Sequence, residues 1–334
     1  MSSRKYNFVV FGSSWDLYLH SYSDIMYLSD VRYISESIRY NMMRRNSLYH
    51  LHLGNLNKYV QIPFKSIWNH CYFPNDFADN KPICFLFTGS WMRLNKFIHL
   101  TDYIKKTYPD SKTACFITDL VNTQRYPYTD EPLNIEEEKK SFDIMLSFDH
   151  KDCENYGFLY HPLVYSVIDE NADSRPVSDI YFLGQAKNRM DEIIQIYEKL
   201  RQTNLKLDIN LIGVPCEKQR YPDEIHYLDS FMTYYENLQH LLNSKCVLEI
   251  MQKNGHGFTQ RCVEVVGENK KLLTNNPEVI EAPFYNADYI SHFSSADDLD
   301  FGFINRISSD EIIDYNYKEK ISPIELIDFI DSYL

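Results

Sequence analysis

The chain has 334 residues, more than a single hydrophobic core usually serves and enough for two domains. Hydrophobic residues make up 44% and charged residues 24%, an ordinary globular composition that excludes a disordered chain. The net charge of −13 excludes a duplex nucleic acid as partner, because neutralising phosphates takes a basic face, whereas a nucleotide needs only a few cations and backbone N–H groups.

Met1 to Lys5 leads straight into an apolar run and is too short for a signal peptide. No stretch approaches 18 apolar residues. The seven Cys are odd in number and scattered, with no CxxC pair, which reads as reduced thiols. The expectation is a cytoplasmic protein, with peripheral contact at the inner membrane face left open. The 27 Tyr and 20 Phe suit large cores and a cleft, although an AT-rich coding bias gives the same excess.

Short apolar runs alternate with amphipathic stretches, the pattern of an α/β fold with parallel sheets. The first strand is Phe8–Gly12, followed by Ser13 and Ser14. Ile83–Thr88 is a second, ending at Gly89-Ser90, and helical spacing follows through Phe97, Leu100 and Ile104 to a stop at Pro109. Thr113–Thr118 ends at Asp119, and Phe142–Phe148 ends at Asp149. Residues 161–178 carry Pro162, Pro176 and a polar stretch, and read as a linker.

A second α/β unit then begins. Asp179–Leu183 is a strand, Gly184 opens a turn, and Met190–Leu200 has helical spacing. Leu207–Ile212 is a strand closed by Gly213 and Pro215, and Ile225–Leu228 is another. Phe231–Leu242 reads as helix, Cys246–Ile250 as strand, Thr259–Val266 as helix and Lys271–Thr274 as strand. Ser322-Pro323-Ile324-Glu325 has capping-box spacing with Pro at the first helical position, so a final helix is expected, with Ile324, Ile327 and Leu334 on its apolar face. The expected architecture is two Rossmann-like domains facing across a cleft (GT-B), over 1–165 and 175–315. Residues 316–334 form a helix that can pack back on the first domain.

Strand ends are where open α/β sheets bind ligands. Gly255 and Gly257 allow close backbone approach, and the helix starting near Phe258 or Thr259 offers free N–H groups to a diphosphate. Arg261 adds charge there. Glu264, three residues on, shares its face and can accept both ribose hydroxyls. A plain turn with a solvated Arg261–Glu264 pair is an equal alternative. Lys187 and Arg189 at a helix start oppose the helix dipole, which makes sense if an anion sits between them; a solvated basic turn is the alternative.

Residues 179–290 resemble the C-terminal domain of GT-B glycosyltransferases of bacterial capsule, O-antigen and exopolysaccharide synthesis. The resemblance is carried by Asp179–Arg189 as opening strand and phosphate turn, and by Phe258–Glu264 with Lys270–Asn276 as nucleotide helix and following strand. In the first half it runs through Tyr108–Lys112, Ile117–Leu120 and Phe142–Asp149. It implies transfer of a sugar from a nucleotide-sugar to a saccharide or lipid-linked saccharide acceptor, with no metal or other cofactor.

On that resemblance Glu264 holds the ribose, and Arg261 and Lys187 hold the diphosphate. Arg189, Gly184, Gly213, His256, Gly257, Phe258 and Thr259 complete the donor site, and Tyr227 and Leu228 present backbone groups to the base. Many retaining members carry two Glu separated by seven residues. Glu264 fits the second position, but the first falls on His256, so no anomeric outcome follows. For an inverting enzyme, Asp119 is the first candidate base and Asp149 the second, both also able to be helix caps. Ser13, Ser14 and Asp16 are expected at the acceptor. A nucleotide-sugar 2-epimerase and a non-catalytic sugar-binding module share the architecture.

Three further signals carry less weight. Asp298-Leu-Asp300 matches a metal-binding DxD pattern but sits in an acidic run, where a solvated loop is expected. His50 and His52 share a strand face without a third ligand nearby. Arg44-Arg45 beside Met42-Met43 could touch anionic lipid.

Overall fold

The computed structural model describes residues 4–35, 55–60, 65, 69, 70, 73, 77–168, 172–252, 255–307 and 312–334. His50, His52, Arg44 and Arg45 lie outside the described residues. The chain divides into two compact units. Unit 1 comprises Met1–Ser166 and Ile321–Leu334, and unit 2 comprises Val167–Lys320.

Among the described residues, unit 1 holds six parallel strands: β1 (Asn7–Gly12), β2 (Val31–Ser35), β3 (Ile83–Thr88), β4 (Lys112–Ile117), β5 (Ile144–Ser147) and β6 (Leu159–Tyr160), in the order β2-β1-β3-β4-β5-β6. Every residue of β1 is buried, as a strand covered on both faces must be, which is why its sequence is a continuous apolar run. One face packs Phe11, Phe85, Phe87 and Trp91 together, with the Phe11 and Trp91 rings 5.2 Å apart. Each such side chain contributes roughly 1.5–3 kcal/mol by leaving water.

Around this sheet lie α1 (Asp16–Ser21), α2 (Ser90–Ile98), α3 (Leu100–Thr107), α4 (Ile135–Glu138) and α5 (His150–Tyr156). The spacing through Phe97 and Ile104 does not mark one helix. The chain breaks at His99, which is left-handed at φ 52°, and Asn95 Oδ1 accepts the Thr101 amide at 2.9 Å to start α3 afresh.

Unit 2 holds β7 (Ser178–Gln185), β8 (Leu207–Ile212), β9 (His226–Leu228), β10 (Ser244–Glu249), β11 (Lys271–Thr274) and β12 (Ile290–His292), again all parallel, in the order β12-β11-β10-β7-β8-β9. Its helices are α6 (Met190–Leu200), α7 (Tyr234–Leu242), α8 (Gln260–Gly267) and α9 (Phe301–Arg306). The strand order is that of the dinucleotide-binding fold, reversing between β7 and β10.

The short α10 (Lys318–Ile321) leads into α11 (Pro323–Tyr333), which belongs to unit 1. Ser322 Oγ caps α11 by accepting the Ile324 amide at 3.2 Å. Asp331 accepts the Lys5 and Tyr6 amides at 3.0 Å each, and Asp328 pairs with Arg4 at 2.6 Å. Leu326, Ile327 and Ile330 are fully buried, while Ile324 and Leu334 are half-buried, so the expected apolar face is turned by part of a residue step. Among the described residues, no helix is long and apolar enough to cross a membrane.

Candidate functional site

In unit 2, the carboxyl ends of β7 and β10 flank the order reversal. Gly184 does not open the turn, as the sequence suggested. It lies inside β7, paired with Leu211. A Cβ there would meet the Phe182 ring at 3.0 Å and Arg189 Nη2 at 3.1 Å, so glycine is what lets Arg189 fold back over the strand. The turn is made by Lys187, exposed and left-handed at φ 44°, a backbone state that costs a residue with a side chain about 1–2 kcal/mol.

Lys187 and Arg189 are placed differently. The Arg189 guanidinium donates to the Gln185 carbonyl at 3.1 and 3.2 Å and to the Ile250 carbonyl, tying the ends of β7 and β10 together. Burial lowers its pKa from the ordinary guanidinium value, with the nearby charges of Glu192 and Glu249 acting the other way. Lys187 is exposed.

Across the reversal stands Glu249, the last residue of β10 and 4% exposed. Its carboxylate accepts the Thr259 hydroxyl and, at 2.5 Å, the Thr274 hydroxyl. Burial raises its pKa above the usual carboxylate range, while the two hydroxyls and the charges of Arg261 and Arg189 pull it back. Sequence reading passed over Glu249, although a lone charge closing the apolar run Cys246-Val-Leu was the available signal.

Thr259 is the N-cap of α8, its Oγ1 accepting the Cys262 amide at 3.3 Å. The loop before it is held by Glu278, which accepts the Gly257 amide at 3.0 Å and pairs with His256 at 3.4 Å. Asn276 Nδ2 donates to the Gly257 carbonyl at 3.0 Å, and Gly257 is left-handed at φ 71°. Phe258 is buried, edge-on to Phe284 at 5.1 Å. His256 thus anchors the loop that delivers the start of α8.

Arg261 and Glu264 are not a solvated pair: Arg261 is half-buried and Glu264 is buried. Glu264 is 2% exposed. Its Oε1 accepts the Tyr234 hydroxyl at 2.7 Å and its Oε2 accepts Arg261 Nη1 at 3.1 Å. Arg261 also donates to Asn237 Oδ1 at 2.9 Å, an atom shared with the Tyr181 hydroxyl, and lies 5.6 Å from the Tyr181 ring centroid. Burial drives the Glu264 carboxyl upward, and Arg261 offsets part of that rise. The pair is an internal polar lock between α8, α7 and β7.

At the end of β8, Gly213 turns at φ 70° and its amide donates to the Leu228 carbonyl at 3.1 Å, so that carbonyl is engaged within the fold. The Tyr227 hydroxyl bonds the backbone of Arg220, donating to its carbonyl at 2.5 Å and accepting its amide at 2.9 Å.

In unit 1, the order reverses between β1 and β3. Ser13 is buried, with its carbonyl accepting the Tyr33 hydroxyl at 2.9 Å. Ser14 is half-buried and Asp16 is exposed in the first turn of α1. Asp119 is also exposed, two residues past β4. The surrounding protein nonetheless raises its carboxyl above the usual range, with the Arg93 charge and a Gln124 hydrogen bond opposing. Asp149 differs. It is 1% exposed, and its Oδ1 accepts the Asp152 amide at 2.8 Å as the N-cap of α5. Its Oδ1 thus serves as a helix cap, while its Oδ2 is buried without a hydrogen-bond partner among the described residues.

Asp298 accepts the Ser295 hydroxyl at 3.0 Å, and Asp300 caps α9 through the Phe303 amide at 3.0 Å, so the DxD pattern consists of a loop contact and a cap. Among the described residues, no group of three or more His, Cys, Asp or Glu side chains is arranged to hold a metal ion.

No protein-family model matches the sequence. No curated protein matches it either. The fold does have counterparts among solved structures. The trehalose-6-phosphate synthase OtsA is similar at TM-score 0.51 and 10% identity, covering 99% of this chain and 97% of that one. A putative UDP-N-acetylglucosamine 2-epimerase from Listeria monocytogenes is similar at TM-score 0.50 and 11% identity, covering 99% and 97%. The N-terminal domain of Candida albicans trehalose-6-phosphate phosphatase is similar at TM-score 0.50 and 9% identity, covering 96% and 92%. The chain therefore has the α/β, two-domain GT-B fold.

Proposed function

We propose that this chain is a glycosyltransferase that takes its sugar from a nucleotide-activated donor bound by unit 2. The observation that carries the reading is the order reversal of the unit 2 sheet, flanked on one side by the Lys187 turn and on the other by the start of α8. A diphosphate there meets the first-turn amides of α8 and the Lys187 ammonium, with Arg189 and Glu249 fixing the two strand ends around it. Arg261 and Glu264 act beneath this seat by locking α8 in place.

Loss of the nucleoside diphosphate needs its growing negative charge stabilised, and helix amides with a lysine supply that without a metal. In an inverting reaction Asp119 takes the proton of the acceptor hydroxyl. The acceptor oxygen bonds the anomeric carbon, and the bond from that carbon to the β-phosphate oxygen breaks, releasing the nucleoside diphosphate. A carboxylate with a raised pKa is the stronger base for this step. A saccharide, free or lipid-linked, in surface polysaccharide synthesis is the acceptor class this reading favours.

The test is incubation with a panel of nucleotide-sugars in the presence of a chelator, with and without saccharide acceptors. Acceptor-dependent release of nucleoside diphosphate supports transfer. Isomerised donor in the absence of acceptor identifies a 2-epimerase instead. Binding of donors with no turnover under either condition identifies a non-catalytic module.

A further inference from the structure

Of the two described tryptophans, Trp91 is fully buried and Trp15 is 74% exposed. A large aromatic left in water on a mobile loop would mean little, but Trp15 is held by its backbone. Its amide donates to Ser13 Oγ at 3.3 Å, and its carbonyl accepts the Tyr18 and Leu19 amides at 2.9 and 3.0 Å. It stands as the N-cap of α1, directly after β1, at the order reversal of the unit 1 sheet.

Tyr18, one turn on, bonds the Thr118 hydroxyl at 3.1 Å, the residue before Asp119. The Tyr18 ring also passes 3.7 Å from the position a Cβ would take on Gly89, which is left-handed at φ 56° and begins α2. The segment bearing Trp15 is thereby pinned to the ends of β3 and β4, at the residue that precedes Asp119.

The surroundings select the ligand. Ser13 to Leu19 contain no Lys or Arg, and Asp16 and Asp119 are both exposed. Those carboxylates disfavour a nucleotide phosphate, and a segment without Lys or Arg of its own, with Arg93 facing Asp119, offers little to an anionic lipid surface. A pyranose ring matches: its C–H face packs on an indole face, while its hydroxyls donate to carboxylates at the rim. We propose that Trp15 is a stacking platform for a pyranose ring, which on the glycosyltransferase reading above is a ring of the acceptor.

The experiment is an array of immobilised oligosaccharides, probed with the full chain as wild type, Trp15→Phe and Trp15→Ala. The expected result is binding to a subset of saccharides, weakened about tenfold or more in Trp15→Ala and within about threefold of wild type in Trp15→Phe. Because the ring lies in water, the melting temperature of both variants stays at the wild-type value. Equal binding by Trp15→Ala, no saccharide bound by the wild type, or Trp15-dependent capture on phosphatidylserine vesicles overturns the proposal. Nucleoside diphosphate binding, measured on the same preparations, separates the two readings. Its absence sinks the transferase assignment, while its presence alongside Trp15-independent saccharide binding sinks this proposal alone.

Discussion

Replacing Glu264 with Ala isolates the role of the Arg261–Glu264 pair. The substitution removes the partner of a guanidinium whose side chain is 18% exposed, and leaves the Tyr234 hydroxyl without its acceptor at 2.7 Å. Breaking a buried ion pair from one side costs about 3–5 kcal/mol. Arg261 keeps its bond to Asn237 and some solvent contact, so the lower end, about 3 kcal/mol, is expected. For a domain of this size that lowers the melting temperature by about 6–12 °C.

The two units need separate readouts, since a single two-state transition cannot be assumed. The three tryptophans all precede residue 167, where unit 2 begins, so tryptophan fluorescence follows unit 1 while far-UV circular dichroism follows both. The loss should appear in the dichroism transition and not in the fluorescence one. The double variant Arg261→Met with Glu264→Leu removes both charges and should recover most of the stability. If Glu264→Ala instead leaves unit 2 within about 1 kcal/mol of wild type and weakens nucleotide binding tenfold, Glu264 is a ligand-contacting residue and the structural assignment is wrong.

Glu249→Gln should stabilise unit 2 at neutral pH. The folded-state pKa of Glu249 is raised, so the favourable contribution of its neutral form is present below the unfolded value and is lost as pH rises through the folded value. The advantage of the Gln variant, followed by thermal melts, should therefore shrink as pH falls toward the ordinary glutamate range. Lys187→Gly and Lys187→Ala should both weaken nucleoside diphosphate binding about tenfold in titration calorimetry. The Ala variant should keep wild-type stability, since lysine already carries the cost of the left-handed turn, whereas the Gly variant should gain about 1 kcal/mol. Gly12→Ala should destabilise unit 1 by about 1–3 kcal/mol in urea melts monitored by fluorescence, because a Cβ would lie 2.1 Å from the Tyr33 hydroxyl, itself fixed on the Ser13 carbonyl.

Elements with strong local punctuation were legible in the sequence. Leu207–Ile212 ends where Gly213 turns, Lys271–Thr274 is uniformly buried, and Met190–Leu200 has an uninterrupted helical stripe. The strands Val31–Ser35, Leu159–Tyr160 and Ile290–His292 were not foreseen. They are short edge or near-edge strands with too few apolar residues to set a period. Spacing placed Arg261 and Glu264 on one helix face, but could not tell which neighbour that face meets. Tyr234 and Asn237 come from a separate helix, 30 and 24 residues earlier than the groups they bond, and only the fold brings them there. Asp149 illustrates the same limit: a carboxylate after a strand reads alike as base or cap, and only the fold shows its Oδ1 on the Asp152 amide.

The central claim, a nucleotide-sugar site on unit 2, is tested most directly by thermal shift of the full chain against nucleoside diphosphates and their sugars in the presence of a chelator. The account predicts that at least one nucleoside diphosphate stabilises the dichroism transition of unit 2, by about 2.7 kcal/mol when its concentration is a hundred times Kd, and that Lys187→Gly diminishes the effect. No shift from any nucleoside diphosphate or nucleotide-sugar contradicts it.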